Sequence, residues 1–479
     1  MQKDFALPSS ILFTLLAIFV FVYPNLYYPV VNPFLSWSVP RLVLLFVFAI
    51  LGILSIKNLR MPKFLVFFIL VNFVLIFIQL FNQKEDEIIY TILGNDDRFE
   101  GIFYQFLVIL FAVFAYYSLI IIKYSKKFLL FLSLSGVFHT LVIINQYTLV
   151  PFNILGREIS FTFDGVPGLT GRAGYIAGFL ICVIAVSIYL SLEKSRFYSI
   201  LGYIFLLMNC VGLSLLQNRS STIAMTIGLV VWIFLRKVNL QFLLTLAVAI
   251  ILINFSDRIF VTNQSFVRNT ADTTTLSTRF EIWKIAFKLM PDNWGFPFFG
   301  GGTGAFKLAI SDKLPILDLM NFYQKEYNLQ PNVNIKKTII ISDEKISKRQ
   351  KTFVVFYKDK SQQVYSLTLD RAHNFFLDKI FSIGLIGAVF WMIFYIYPIY
   401  AFFRLERSKR SFFLQALVVT LIAVQIYYIF WFSVLQVEPI HIIVALMAWV
   451  ALERIKNEPA TTQLPVVLET QALSAPANL

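Results

Sequence analysis

Apolar runs of about 20 residues recur along most of this chain, and they constrain its fold more than any other feature. A helix of that length crosses the roughly 30 Å hydrocarbon core of a bilayer. Charged residues make up only 14% of the 479 residues, against roughly a quarter in soluble proteins. The runs also lack the alternation of polar and apolar positions that marks the strands of an outer-membrane barrel. The sequence therefore predicts an all-α polytopic membrane protein.

The positions of the runs predict about twelve transmembrane helices. The first run begins near Leu7 and has no small-residue cleavage site, so we expect it to be a retained span rather than a signal peptide. The predicted spans are 8–30, 38–56, 63–82, 101–122, 128–147, 173–192, 198–216, 220–235, 238–255, 374–403, 411–435 and 437–453.

Lys and Arg are concentrated in the short connections on one side of this predicted bundle. Cytoplasmic connections carry such an excess, so this side is predicted to be cytoplasmic, with both termini there. The net charge of +14 follows from this bias and a basic loop, and we expect no nucleic-acid partner. The cations on this side are Lys3; Lys57, Arg60 and Lys63; Lys123, Lys126 and Lys127; Lys194 and Arg196; Arg236 and Lys237; Arg404, Arg407, Lys409 and Arg410; and Arg454 and Lys456.

One connection, between predicted helices 9 and 10, is long enough to form a large periplasmic loop domain. Its first half has a helical pattern, and β-prone stretches predict a hairpin within an insert at 332–369. A Pro- and Ala-rich tail is predicted to be disordered. The predicted domains are helices 1–9 in 1–255, the loop in 256–373, helices 10–12 in 374–453 and the cytoplasmic tail in 454–479.

Four arginines lie at helix starts or tips on the predicted outer side, where cations are normally scarce. A single arginine there can simply extend its side chain to the lipid headgroups. Together they predict an outward-facing anion pocket, because a guanidinium binds diphosphate oxygens bidentately and a helix start adds backbone N–H groups. They are Arg98 in NDDRFEGIF, where an interfacial ion pair with Glu100 is the alternative, Arg172 in GLTGRAGYIAGFL, Arg219 in LLQNRSSTIAM and Arg279 in TRFEIWKIAFKLM.

His373, in LDRAHNFFLDKIFSIGLIG, is the histidine best placed for chemistry, because it stands where the loop re-enters the membrane. An imidazole can take a proton from a sugar hydroxyl near neutral pH. Capping of the following helix is the alternative role. His139 and His441 fall within predicted spans, where packing roles are expected. No residues have metal-ligand spacing, so neither a metal nor a cofactor is expected.

Several of these segments occur together in one known group of proteins. They are RFEG, TGRAGYIAGFL, NRSS, TRFEIWKIAFKLMPDNWGFPFFGGGTGAF and AHNFFLDKIFSIGLIG. With them the chain resembles the bacterial O-antigen ligase/polymerase superfamily over roughly its whole length. The resemblance implies an inverting, metal-independent glycosyltransferase of the bacterial inner membrane, with its active site facing the periplasm.

The resemblance also implies the substrates and the residues that contact them. The donor would be a glycan on undecaprenyl diphosphate, with Arg219 and Arg279 holding the diphosphate and His373 near the reacting centre. Arg98, Glu100, Arg172 and Asn374 are predicted to bind substrate beside these three catalytic candidates.

The acceptor remains open on the sequence. The first hypothesis is O-antigen ligase, which transfers the glycan to lipid A-core. The alternative is a polysaccharide polymerase, which joins lipid-linked repeat units by the same chemistry. A protein O-oligosaccharyltransferase is a further possibility. A transporter or flippase is disfavoured, because it would require internal repeats and polar residues near the bilayer midplane.

Overall fold

The computed structural model shows a predominantly helical protein with two small antiparallel sheets. It describes residues 8–26, 33–55, 61–81, 92–94, 100–122, 126–148, 152–154, 157–159, 173–235, 239–260, 274–290, 298–302, 305–306, 309–310, 335–342, 351–357, 362–366, 371–431 and 434–457. Residues 458–479 of the predicted tail and two predicted site residues, Arg98 and Arg172, lie outside these residues, whereas 454–457 of the predicted tail are helical.

Thirteen α-helices occur in the part of the chain that the structure describes. They are α1 Ser9–Asn25, α2 Pro33–Ser55, α3 Lys63–Phe81, α4 Ile102–Ile122, α5 Lys126–Thr148, α6 Ala173–Ser191, α7 Arg196–Leu215, α8 Arg219–Leu235, α9 Leu240–Phe260, α10 Thr274–Leu289, α11 Phe375–Arg404, α12 Phe412–Phe430 and α13 Glu438–Asn457, with a 3-10 turn at Arg407–Lys409.

The strands lie in two connections between helices. β1 Phe152–Ile154 pairs antiparallel with β2 Arg157–Ile159, between α5 and α6. Between α10 and α11, β3 Ile335–Ser342, β4 Lys351–Tyr357 and β5 Gln362–Ser366 form a three-stranded antiparallel sheet in that order.

Seven of the described helices, α3 to α7 with α11 and α12, are long and apolar enough to cross a membrane. Shorter apolar helices lie at Ser9–Asn25, Ser38–Leu54, Arg219–Leu235 and Leu240–Ser256. Each predicted span overlaps one of the helices, and α10 falls within the long loop. The protein is therefore a multi-pass helical membrane protein.

The helices pack closely because small residues lie at their contacts, as is typical where lipid offers no hydrophobic drive for association. A methyl group on Gly52 of α2 would lie 2.1 Å from the carbonyl oxygen of Leu110 in α4. One on Gly212 of α7 would lie 2.1 Å from the hydroxyl of Thr140 in α5. Such glycines let two helix backbones approach to a distance that any larger side chain prevents.

Helix α11 is interrupted at Gly384, where φ is 75° and ψ is 175°. Only glycine adopts this backbone region without a large cost. Its 30 residues would extend about 45 Å as one rod, well beyond the bilayer core. The predicted span 374–403 therefore consists of two helical segments, and only the second, after Gly384, has the length of one crossing.

The glycine run of the loop fills this break. Gly301 and Gly302 donate backbone hydrogen bonds to the carbonyls of Phe381 and Ser382, at 2.9 and 3.0 Å. A break in a membrane helix frees carbonyls that need donors, and these N–H groups supply them. A methyl group on Gly300 would lie 2.5 Å from the nitrogen of Gly384, so the two glycines are in direct backbone contact.

A second, smaller core joins the loop to the first segment of α11, apart from the main core of the bundle. It contains apolar residues of α10, of the glycine-rich connection and of α11. These are Ile282, Ile285, Ala286, Leu289, Ala305, Phe306, Ala309, Ile310, Ala372, Leu377 and Phe381. Helix α10 and the first segment of α11 therefore form one packed unit at one end of the bundle.

Candidate functional site

Helix α10 brings Arg279 to the bundle through its own buried face. That face consists of Ile282, Ile285, Ala286 and Leu289. Arg279 and Trp283 lie one turn apart on the adjoining stripe of the helix, and both contact residues at the end of α12. Trp283 stacks on Phe430, the last residue of α12, with ring centroids 6.1 Å apart. Phe287, at the next position of the stripe, is exposed.

Trp431 follows α12 directly and lies beside two of the predicted catalytic residues. The guanidinium carbon of Arg279 lies 5.3 Å from its ring centroid. The imidazole of His373 lies edge-on, with ring centroids 5.9 Å apart and planes at 75°. An aromatic face attracts a cation by its quadrupole, without neutralising the charge. Arg279 and His373, 94 positions apart in the sequence, thus meet around one tryptophan.

The backbone before α11 holds His373 in an uncommon conformation, with φ at 52°. Histidine is among the few non-glycine residues found there, and such positions cluster at functional sites. The neighbouring residue on each side is fixed by a hydrogen bond. Asp378 accepts from the backbone N–H of Ala372 at 2.9 Å, and Asn374 caps the helix.

Asn374, rather than His373, is the cap of α11. Its side-chain oxygen accepts from the N–H groups of Phe376 and Leu377 at 3.0 and 3.1 Å, which satisfies two helix-start donors. Its amide nitrogen donates to the carbonyl of Ile429 at 2.9 Å. The side chain therefore ties the start of α11 to the end of α12, two residues before Trp431.

The start of α6 forms the other wall of the tryptophan. A methyl group on Gly174 would lie 2.1 Å from the ring carbon Cζ2 of Trp431, so the ring rests against this glycine. Tyr427, one turn before Trp431, donates its hydroxyl to the carbonyl of Gly174 at 2.8 Å. The entry to α6, at which Arg172 was predicted, thus adjoins the same tryptophan.

Arg219 begins α8, directly after a tight turn with α7. Gln217 of this turn has φ at 48°. Asn218 caps α8 by accepting from the N–H of Ser221 at 3.1 Å, and the hydroxyls of Ser220 and Ser221 also bond to its side-chain oxygen. The NRSS segment is thus a helix start whose polar side chains bond to one another, with Arg219 exposed.

The antiparallel packing of α8 and α12 places Arg219 at the level of Trp431. Gly228 of α8 lies against Ala423 of α12, with 3.1 Å between the methyl position of the glycine and the alanine Cβ. Arg219 precedes Gly228 by nine residues and Trp431 follows Ala423 by eight. At about 1.5 Å per residue both lie some 12–14 Å further in the same direction.

Glu100 has protein partners on both carboxylate oxygens. It is buried and forms an ion pair with Arg371, two residues before His373. Its other oxygen accepts from the backbone N–H of Leu435 at 3.2 Å. The carboxylate therefore connects the start of α4, the approach to α11 and the turn between α12 and α13.

A second ion pair lies beside the first. Lys379 of α11 bonds to Glu438 of α13 at 3.0 Å, with only 12% and 2% of these side chains exposed. Tyr104 donates its hydroxyl to the same carboxylate at 2.8 Å. The ammonium also lies 4.5 Å from the ring centroid of Trp391. Burial of both charges makes each dependent on the other.

These residues surround a small cavity of about 30 Å³. That volume accommodates a water molecule but no sugar. Its lining is formed by Glu100, Tyr104, Gln105, Arg371, Phe375, Asp378, Lys379, Ser382 and Glu438. Among the residues described, no group of three or more His, Cys, Asp and Glu could hold a metal ion.

The remaining predicted histidines are buried in the bundle. His139 lies 3.0 Å from the carbonyl of Pro24, and His441 lies 3.0 Å from the carbonyl of Gly178. His441 also bonds to the hydroxyl of Tyr428. These contacts join helices to one another and agree with packing roles.

Sequence reasoning missed Trp431 and Arg371. The only signal for Trp431 was an aromatic residue at the end of an apolar run, which is common at membrane interfaces. Arg371 stands next to the histidine motif in LDRAHN, but its partner Glu100 is 271 positions away. A pairing over such a distance has no periodicity to reveal it.

Residues 203–327 match the family model described as O-antigen ligase. The matched segment runs from within α7 to the loop and includes Arg219 and Arg279, whereas His373 lies beyond it. No curated protein matches the chain. Over this segment the chain is therefore similar to the O-antigen ligase family, whose members are ligase- and polymerase-type membrane enzymes.

Proposed function

We propose that this protein transfers a glycan from undecaprenyl diphosphate to an acceptor hydroxyl, with inversion and without a metal ion. The observation that carries the proposal is the meeting of Arg279 and His373 around Trp431, at the level of Arg219. A cation and a base side by side at one end of a membrane bundle suit a donor whose lipid lies in the bilayer.

The leaving group of this reaction is a lipid diphosphate, on which negative charge develops as the glycosidic bond breaks. Preorganised cations directed at developing charge make a large contribution to catalysis. We assign this role to Arg279 and Arg219, since guanidinium groups bind phosphate oxygens bidentately.

His373 acts as the base in this scheme. The acceptor oxygen attacks the anomeric carbon as its proton passes to the imidazole, and the bond from that carbon to the diphosphate oxygen breaks. The diphosphate departs with both electrons of that bond, on the undecaprenyl chain. Attack on the face opposite the leaving group inverts the anomeric centre.

The other predicted site residues fall into two groups in this proposal. Arg98 and Arg172, which lie outside the described residues, are proposed to bind the substrate. Glu100 and Asn374 act through the protein contacts described above, which hold the approach to His373 and the cap of α11. Their effect on substrate is thus through the shape of the site.

For topology, we propose about twelve crossings, formed by α1 to α9 and α11 to α13, with α10 and the three-stranded sheet in a periplasmic loop domain. The positive-inside bias supports cytoplasmic termini and a periplasmic site in the bacterial inner membrane. The starts of α4, α6, α8, α11 and α13 then face the periplasm together.

The acceptor that we propose is lipid A-core, which makes the protein an O-antigen ligase. The test is an electrophoretic profile of envelope glycans from a strain that lacks the protein, with lipid-linked glycan extracted in parallel. Long chains that persist on undecaprenyl diphosphate and never reach lipid A-core would establish ligation. An acceptor with at most one repeat unit would instead establish a polymerase, and unaltered glycans would contradict both.

A further inference from the structure

We infer that Trp431 is a positioning residue that sets the separation of the diphosphate-binding arginine from the base. The inference rests on the proposed function and extends it to a residue outside the family motifs. It starts from one observation: the same indole ring contacts the guanidinium of Arg279 and the imidazole of His373.

The two contacts bound the distance between the functional groups. With one group 5.3 Å and the other 5.9 Å from the tryptophan ring, they lie no more than roughly 12 Å apart. An in-line displacement needs a base and a cation on opposite sides of the anomeric carbon. Two hydrogen bonds and one near-attack contact of about 3 Å each, with the bonds of the phosphate ester, span roughly 10–13 Å depending on the angles between them. The upper bound set by the two ring contacts therefore leaves room for an inverting transfer when this path is bent.

The ring itself is held from several elements. Gly174 of α6 lies against Cζ2 and Cε2, and a methyl group there would come within 2.1 and 2.6 Å of them. The Asn374 bond to Ile429 and the Tyr427 bond to Gly174 fix the last turn of α12 just before the ring. Its backbone is extended, with φ at −143° and ψ at 168°. A ring fixed in this way can act as a rigid spacer.

The choice of an aromatic spacer has a chemical reason. A carboxylate in the same place would orient Arg279 equally well, but it would neutralise the charge needed by the diphosphate. The contact with the π face holds the guanidinium without itself neutralising its charge. The same indole meets the imidazole of His373 in a T-shaped contact, at a residue whose backbone is in the left-handed region.

Double-mutant cycles test this role, with the full-length protein in lipid nanodiscs and undecaprenyl diphosphate as the probe. We expect W431A to weaken binding about tenfold and R279A by at least as much, with the double variant no weaker than R279A, because the ring acts through the arginine. W431F should retain most of the affinity. In transfer assays at saturating donor, W431A should lower the rate about tenfold in the wild type but little in H373N.

A glycine variant in α6 provides a second test of the position of the Trp431 ring. G174A pushes on the indole from the α6 side and should reproduce the loss in W431A without touching Arg279 or His373. G212A is its matched control, since the new methyl would meet Thr140 at the same 2.1 Å in a helix contact remote from the site. We expect G212A to retain binding and transfer in whatever protein accumulates.

Additive effects of W431A with R279A and H373N, or wild-type behaviour of W431A and G174A, would overturn the inference while leaving the proposed function intact. A wild-type protein that fails to bind undecaprenyl diphosphate, and an R279A variant with full transfer, would overturn the proposed function instead. Equal losses in G174A and G212A would show general packing damage and would also contradict the inference.

Discussion

Two groups of cations flank the first turn of α11, and they differ in what surrounds the charge. On one side Arg279 lies over the ring of Trp431 beside His373. On the other side Arg371 pairs with Glu100 and Lys379 pairs with Glu438. We call the first the aromatic cluster, formed by Arg279, His373 and Trp431, and the second the ionic cluster, formed by those two ion pairs.

The contrast distinguishes Arg279, which we propose binds a ligand, from Arg371 and Lys379, which form ion pairs within the fold. In the ionic cluster each positive charge is matched within the protein, so its loss leaves a buried charge without compensation. In the aromatic cluster the contact with the ring does not itself neutralise the guanidinium, which we propose binds a phosphate oxygen. Changes in the first cluster should therefore lower stability, and changes in the second should lower activity.

The largest effect is expected for R279A, which removes the proposed diphosphate cation. We expect transfer to fall at least about 100-fold, because such donors act on charge that develops in the transition state. The protein should still reach the membrane at its normal level. R219A should behave alike, and R279K should recover only part of the activity, since lysine lacks the bidentate geometry. Activity near wild type in R279A would remove the diphosphate assignment.

His373 offers the next test, and its backbone suggests the better variant. Asparagine tolerates the left-handed region but cannot take a proton near neutral pH, so H373N should keep the fold and lose about 100-fold or more in transfer. H373A should lose activity similarly, without rescue by added divalent metal. The readout is transfer rate per folded protein, from reconstituted full-length variants. Full activity in both variants would show that His373 is only a junction residue.

The ionic cluster should respond in the opposite way. K379M leaves Glu438 buried without its cation and should lower stability by about 3 kcal/mol, measured as thermal unfolding in detergent. The double variant K379M/E438Q should recover much of that loss, because neither charge is then buried alone. Transfer per folded molecule should stay near wild type in the double variant. A selective loss of transfer with unchanged stability would show that the ionic cluster touches substrate.

Gly384 tests the connection between the clusters and the loop. G384A places a side chain at φ 75° and ψ 175°, with its methyl 2.1 Å from the carbonyl oxygen of Phe298. We expect a loss of roughly 2–3 kcal/mol, localised to the loop and the first segment of α11. Protease accessibility of the loop should rise before the bundle unfolds. G387A is a comparison at helical backbone, where the new methyl would also be crowded, at 2.6 Å from the side chain of Ile383.

The smallest effect is expected at the opposite end of the bundle, where Lys126 bonds to Glu193 at 2.7 Å. Burial raises the pKa of Glu193, but hydrogen bonds from Lys126 and Tyr189 and the charge of Lys126 outweigh it and lower the pKa below its ordinary value. A lowered pKa stabilises the fold above the ordinary carboxyl range, and this contribution disappears as the pH falls through the lowered pKa.

Because Lys126 is 44% exposed, the pair should contribute at most about 0.5 kcal/mol. E193Q should therefore flatten the acid side of the stability profile slightly and leave transfer unchanged. Thermal midpoints between pH 3 and 7, at low and high salt, would show this. A loss as large as that in K379M would contradict the distinction between buried and exposed pairs.

Much of the fold could be predicted from the sequence because membrane helices are recognisable by their length and apolarity. Helix positions were predictable for that reason, and the catalytic roles of Arg219, Arg279 and His373 stay predictions. The break at Gly384 was not predicted, although a 30-residue apolar run exceeds what one crossing needs and contains glycines. Length alone could have indicated it.

The contacts that the site residues make within the protein were harder to predict from the sequence. Glu100 was read beside Arg98, its neighbour in sequence, whereas the structure pairs it with Arg371. Trp431 has no motif, since its role depends on the simultaneous approach of α6, α10 and α11. Pairing across helices is set by three-dimensional packing, which a single sequence with uniformly apolar spans does not encode in any local pattern.

The backbone contact between Gly300 and Gly384 also determines how this protein can be recombined with its relatives. A chimera that exchanges only the loop and rejoins the chain at the first residue of α11 would separate hydrogen-bond donors at 301 and 302 from their acceptors at 381 and 382. The natural crossover point lies after Gly384, within the apparent span. Exchange of the loop should therefore preserve the fold when the first segment of α11 is transferred with it.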